Sequence, residues 1–294
     1  QCPQLVIRQN TFNECSSLTT LNINTQNLNI EPGVFSSSNS LNVNYNGTVF
    51  NVAMASFITS KIKSLNINLT TECSFGLNAT SNSFVEELRI QAPLITFVEN
   101  CFQDAKGIRL IELNATESII FDIGTFINSQ FNEINCYASK SITINQNCFK
   151  GVTGAKNANL ISGGTFSFSS SCFEFAEIEN VNLKAVEDIR FVEGSFRSIT
   201  KLNKLTIETI GSIEAKTSSF IKSNIQEIFT KSGQTITFEQ NSFTSTTGID
   251  SITINSNGNV EFGIESFTDS KINSMQLYTN ETCTFQQNII IIFM

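Results

Sequence analysis

Apolar residues in this chain come in short period-two bursts. After Phe173 the apolar positions are Ile178, Val181, Leu183, Ile189, Phe191 and then Phe196. After Phe243 they are Ile249, Ile252, Ile254, Val260, Phe262 and then Phe267. The pairs I-x-I and I-x-F place alternate side chains on one face, so each predicts a short strand, and the five residues between the pairs predict a turn. The segment after each landmark Phe, such as Ser36-Ser37-Ser38-Asn39-Ser40, is too short and too poor in helix formers for a regular helix.

The unit recurs along the whole chain. A Phe after a small or short residue stands at 12, 35, 57, 84, 102, 126, 149, 173, 196, 220, 243 and 267, a mean interval of about 23 residues. Intervals run from 22 to 24 except beside Phe84, where 27 is followed by 18, so an irregular rung is expected near residues 69–90. A single unit cannot bury its own apolar row, but stacked units share a continuous core of Phe over Phe and Ile over Ile. The predicted fold is therefore a β-rich solenoid, one domain over residues 1–294, with about 12 rungs of 22–24 residues and two short strands per rung. At the ~4.8 Å spacing of strands it forms a rod or gentle arc about 55–60 Å long. The alternative architecture is a three-sheeted right-handed parallel β-helix, whereas a β-sandwich of unrelated strands would not hold such an interval.

This motif resembles the leucine-rich repeat, most closely its BspA-like variety, over about residues 5–290. Ile142-Thr143-Ile144-Asn145-Gln146-Asn147-Cys148-Phe149 and the stretch from Thr235 to Phe243 carry the resemblance. Phe stands in place of Leu at two positions of the repeat, and the usual buried Asn or Cys three residues after the strand is mostly missing. The resemblance implies a surface or secreted protein used in adhesion, recognition or scaffolding.

Composition narrows the chemistry. The formal net charge is −8 with no Lys/Arg cluster, which excludes nucleic-acid binding and a polybasic membrane patch. Histidine is absent, so His-based nucleophile systems and His-ligated zinc are excluded. The eight cysteines form no C-x-x-C pair, which argues against a structural zinc site. Glu86-Glu87 and Glu187-Asp188 are adjacent in sequence and would point to opposite faces of a strand. The Asp residues at 104, 122, 188, 250 and 269 fall at different repeat positions. No clustered acid and base emerges, so the expectation is a protein that is not an enzyme and takes no cofactor or metal.

Three other patterns stand out. The residue between the two inward positions of I-x-I is Asn in six of twelve rungs: Asn22, Asn42, Asn66, Asn135, Asn159 and Asn182. This column reads either as a binding strip for glycan or protein or, preferably, as an amide ladder along the axis. N-glycosylation triplets occur at Asn46, Asn68, Asn78, Asn114 and Asn280. All but Asn78 are expected in one turn of the repeat, along an exposed edge. Cys101, Cys148 and Cys172 occupy the small position before the landmark Phe and read as buried thiols. Cys148 and Cys172 lie in adjacent rungs and could be bridged, and Cys2 and Cys15 are the other candidate pair.

Leu5-x-Ile7 and Cys283-x-Phe285 match the second strand at the first and last rungs, with few residues left for caps. Open strand edges are templates for another chain. The expected partner is thus the protein itself, stacked head to tail into a glycosylated extracellular filament or matrix. The alternative is an adhesin or receptor-type ectodomain that binds protein or glycan on the strand face. Gln1 is read as a mature end after removal of a signal peptide, and the run Ile289 to Met294 is too short to cross a bilayer.

Overall fold

The computed structural model describes residues 2–287 and the backbone of 292–293, so Gln1 and the readings made for the apolar run from Ile289 lie largely outside the described residues. The chain is a parallel β-solenoid of about 12 turns, and none of the described residues is helical. A representative rung has a first strand, Ala155–Ser162, and a second, Thr165–Phe168. In four early rungs the two run on as one bent strand: Leu41–Val52, Lys61–Phe75, Phe84–Phe97 and Leu110–Phe121. Each strand pairs in parallel with its counterpart in the next rung, as in Leu160↔Leu183, Leu183↔Ile207 and Ile189↔Ile213.

The third side of each rung, around the landmark Phe, is not a strand. It is a tight turn that is also tied to the next rung. The N–H groups of Phe126, Phe149 and Phe173 donate to the carbonyls of Cys148, Cys172 and Ser195, each at 2.8 Å. This separates the fold from a three-sheeted β-helix. The turn requires the left-handed backbone region twice per rung, two residues before and two after the landmark. Examples are Asn147 (φ 58) with Gly151 (φ 67), and Ser218 (φ 59) with Lys222 (φ 57). Asn, Gly, Ser and Asp dominate these sites because they tolerate φ > 0 best.

That backbone signature corrects the assignment of Phe84. In the corresponding rung the left-handed pair is Asn78 and Asn82, so the residue between them, Thr80, holds the landmark place. Thr80 lies 23 residues after Phe57 and 22 before Phe102, within the ordinary range. It is fully buried, with Oγ1 donating to the Cys101 carbonyl at 2.8 Å, whereas Phe84 is 42% exposed. What irregularity exists lies at the corner between the two strands, where the register shifts between Asn68 and Glu72 and again between Ala92 and Leu94.

The interior is a set of axial columns. Landmark rings stack face to face at 5.1 Å for Phe149–Phe173, 4.7 Å for Phe173–Phe196 and 5.0 Å for Phe220–Phe243. A second column from the second strands runs beside it, as in Phe238–Phe262 at 5.4 Å. The two columns interlock through tilted contacts such as Phe238–Phe243 at 5.0 Å. Offset or tilted aromatic pairs contribute about 0.5–1.5 kcal/mol beyond their buried area.

Truncating one ring should open a cavity that the rungs on either side cannot close. Phe173→Ala is expected to cost about 3–5 kcal/mol and Phe84→Ala less than about 1 kcal/mol, measured by urea unfolding. Equal losses at the two positions would contradict the stacking. Lys222→Gly should stabilise by roughly 0.5–1 kcal/mol, because glycine relieves a left-handed side-chain residue; a lower melting temperature would count against the turn geometry.

Candidate functional site

The outward face of the first strands is the most ordered surface of the molecule. Its middle column runs Asn22, Asn44, Asn66, Arg89, Glu112, Asn135, Asn159 and Asn182, then Thr206, Phe229, Thr253 and Gln276. Asn42, expected in this column, belongs instead to the column beside it and pairs with Thr20 and Ser64. The cause is Tyr45. A tyrosine at an inward position disguises the I-x-I pattern, so Leu41 and Val43 looked like the inward pair when Val43 and Tyr45 fill it. The Tyr45 hydroxyl is buried and donates to carbonyls, with Gln26 O at 2.8 Å and Val49 O at 2.9 Å. Burial pushes its pKa up to about 12.

Amides in the column bond along the axis. Asn44 Nδ2 donates to Asn22 Oδ1 at 2.8 Å, Asn66 Nδ2 to Asn44 Oδ1 at 2.9 Å, and Asn159 Nδ2 to Asn135 Oδ1 at 2.8 Å. The ladder ends at Asn159: no bond joins it to Asn182, whose Oδ1 is buried without a hydrogen-bond partner among the described residues. Arg89 and Glu112 interrupt it with an ion pair at 3.4 Å, and Glu87 reaches both Arg89 and Arg109. Elsewhere charge is also paired from rung to rung: Lys184–Glu208 at 3.2 Å, Lys204–Glu227 at 3.4 Å and Lys150–Glu174 at 2.7 Å. Of the adjacent carboxylates Glu187 and Asp188, Asp188 pairs with Arg190 of its own rung at 2.9 Å and accepts the Ser212 N–H of the next rung at 2.8 Å. Among the described residues no group of His, Cys, Asp and Glu is placed to hold a metal ion.

One shallow groove of about 370 Å³ lies on this face, between Asn44 and Asn66 on one side and Arg89, Gln91, Glu112 and Asn114 on the other. Its charges are mutually paired and it presents amides, so its chemistry is hydrogen bonding rather than proton transfer.

The structure also moves three triplets from the expected turn into the strand. Asn46, Asn68 and Asn114 share a single outward column, with Gln91 between the last two. Asn46 was expected in the turn with Asn280 and is shifted into the strand by the same Tyr45 effect. All three side chains are exposed, as is Asn280 at the corner beyond Tyr278, while Asn78 is half-buried in the landmark turn.

All eight cysteines are free thiols, so neither Cys148–Cys172 nor Cys2–Cys15 is a bridge in this structure. The slot before the landmark explains why Cys148 and Cys172 are comfortable unpaired. Serines there donate back into their own turn, Ser195 Oγ to Val192 O at 2.7 Å and Ser56 Oγ to Ala53 O at 2.8 Å. Cys172 Sγ makes the equivalent bond to Ser169 O at 2.7 Å. The Cys172 thiol is thus directed into its own turn, while Cys148 meets Thr125 and Phe126 of the preceding rung. Burial pushes Cys172 up to about 12 and raises Cys73, Cys136 and Cys148 well above the usual thiol range.

These features define a class: a parallel solenoid of two-stranded repeats with polar outward faces. The family model described as "BspA type Leucine rich repeat region (6 copies)" matches residues 5–74, 74–191 and 170–290, and the chain belongs to that family. No curated protein and no solved structure matches the chain.

A soluble disulfide reagent near pH 8 should label Cys2, Cys15 and Cys283 in the native protein and the five buried thiols only after unfolding. A native Cys148–Cys172 bridge found by peptide mapping would contradict the slot geometry.

Proposed function

We propose that the chain is a non-catalytic extracellular scaffold protein, a stiff solenoid whose copies associate end to end into a filament or matrix. The supporting observation is the direction of its outward polar bonds. Amides and charges are spent on the neighbouring rung, as in Asn66–Asn44 at 2.9 Å and Lys184–Glu208 at 3.2 Å, so few remain to converge on a substrate. Bonds of this kind recur from rung to rung, as amide pairs or ion pairs, which suits load-bearing better than selective recognition. Leu5 at 37% exposure and Phe285 at 41% lie in the second strands of the first and last described rungs, each of which has a strand partner on one side only among the described residues. Such a head-to-tail contact is heterologous and does not close on itself. Proteins of this family are typically surface or secreted.

A second reading is a recognition ectodomain, and the groove beside Arg89 and Glu112 favours it. Negative-stain microscopy and sedimentation at low and high concentration separate the two. Rods that lengthen with concentration support the scaffold. Short monodisperse arcs at every concentration would overturn it in favour of recognition, in which case Arg89→Ala should weaken binding to a panel of matrix proteins and glycans.

A further inference from the structure

We propose that Asn46, Asn68, Asn114 and Asn280 carry N-linked oligosaccharide in the secreted protein and that Asn78, in the same N-x-T motif, does not. The inference goes beyond the scaffold reading and needs only passage through a secretory pathway.

Sequence treats the five triplets alike, since each has Thr at its third position. The fold does not. Asn46, Asn68 and Asn114 point outward from one column of the first-strand face, and Asn280 is exposed at the adjoining corner. Their threonines are also accessible: Thr70, Thr116 and Thr282 are exposed and Thr48 is half-exposed. A sugar chain on any of these asparagines projects into water without touching a rung. At Asn46 a further constraint protects the strand geometry, because a Cβ on the following Gly47 would meet the Tyr45 hydroxyl at 2.1 Å.

Asn78 differs in both residues of its motif. It sits in the left-handed position two residues before the landmark, with φ 53 and its N–H bonded to Glu99 O at 3.2 Å. Asparagines at the equivalent place in other rungs lie along the axis against the next rung. A Cβ on Gly124 would be 2.3 Å from Asn100 Oδ1, and one on Gly33 would be 2.9 Å from Asn10 Oδ1. Thr80, the third residue of the motif, fills the landmark slot of the core at 0% exposure.

The transfer forms a bond between the Asn Nδ2 and C1 of the first sugar. It displaces the lipid pyrophosphate that carries the oligosaccharide, and the amide loses one proton. It acts on the unfolded chain, so the motif is met before burial. Folding then selects. A sugar at Asn78 has to be accommodated between stacked turns, and a chain carrying it cannot close its rung against Asn100. Chains without that sugar fold and leave.

One consequence concerns the polar groove. Asn46, Asn68 and Asn114 all border it, so the chain's own carbohydrate covers it, and no triplet lies on the first strands from Glu133 to Ser256. Loss of the scaffold reading would leave this inference standing, because its test reads sites and not assembly.

The test is secretion of the chain from eukaryotic cells, followed by release of the sugars with a peptide amidase in ¹⁸O water and peptide mapping. Labelled aspartate is expected at positions 46, 68, 114 and 280, with none at 78. Asn114→Gln should lower the secreted protein's mass by one glycan, and Asn78→Gln should leave mass and yield unchanged. Label at Asn78 equal to that at Asn114, or no label at Asn114, Asn46 and Asn68, would overturn the proposal. If a retained intracellular pool forms, label at Asn78 there but not in the secreted pool supports the folding filter, and equal label in both overturns it.

Discussion

Axial stacking of like on like governs this molecule. Each inward side chain rests on the residue one rung earlier in the same column, so no rung has a core of its own. Phe149, Phe173, Phe196 and Phe220 form one pile with ring separations of 4.7–5.3 Å. The constraint reaches the backbone as well. Parallel pairing in register demands that every rung return to the same place after 22–24 residues. The landmark turn achieves that return with two left-handed residues at fixed positions, and insertions are absorbed at the corner between the strands and at the entry to the first strand. The outer surface inherits the same spacing, which is why amides and ion pairs bond from rung to rung.

The repeat length, the two strands and their inward faces were legible because period-two apolar pairs report directly on strand faces. Two assignments failed for one shared reason: side-chain identity served as the ruler where backbone geometry decides position. Phe84 is aromatic and follows a serine, so it imitated the landmark. Thr80 is polar, and its burial depends on a hydroxyl bond to Cys101 O that no pattern announces. The Asn78 and Asn82 pair was the available signal, since residues tolerant of φ > 0 flank the landmark in most rungs. Tyr45 caused the second error. It is a polar-tipped residue with its hydroxyl satisfied inside, and it shifted both Asn42 and Asn46 by one place. The thiol bonds of the slot before the landmark were invisible for a third reason, because a cysteine and a serine are interchangeable there only once the turn carbonyl is known.

Function follows from how polar groups are used. In a catalytic site, acids and bases converge on a point. Here Glu87, Glu112, Glu208 and Asp188 are each neutralised by a basic neighbour on the same sheet face. Exposed pairs of this kind contribute at most about 1 kcal/mol each. Their value lies in holding register. The amide ladder does likewise where charge is absent. A solenoid built this way is uniform along its length, and what varies from rung to rung is its outer decoration, above all the asparagine triplets on one half of the first-strand face.

A crystal structure of the chain would test the stacking most directly at the one rung where aromatic pattern and backbone geometry disagree. Density for Thr80 is expected between the planes of Phe57 and Phe102, with the Phe84 ring outside over Gly107. A Phe84 ring inserted between Phe57 and Phe102, with Thr80 at the surface, would contradict it.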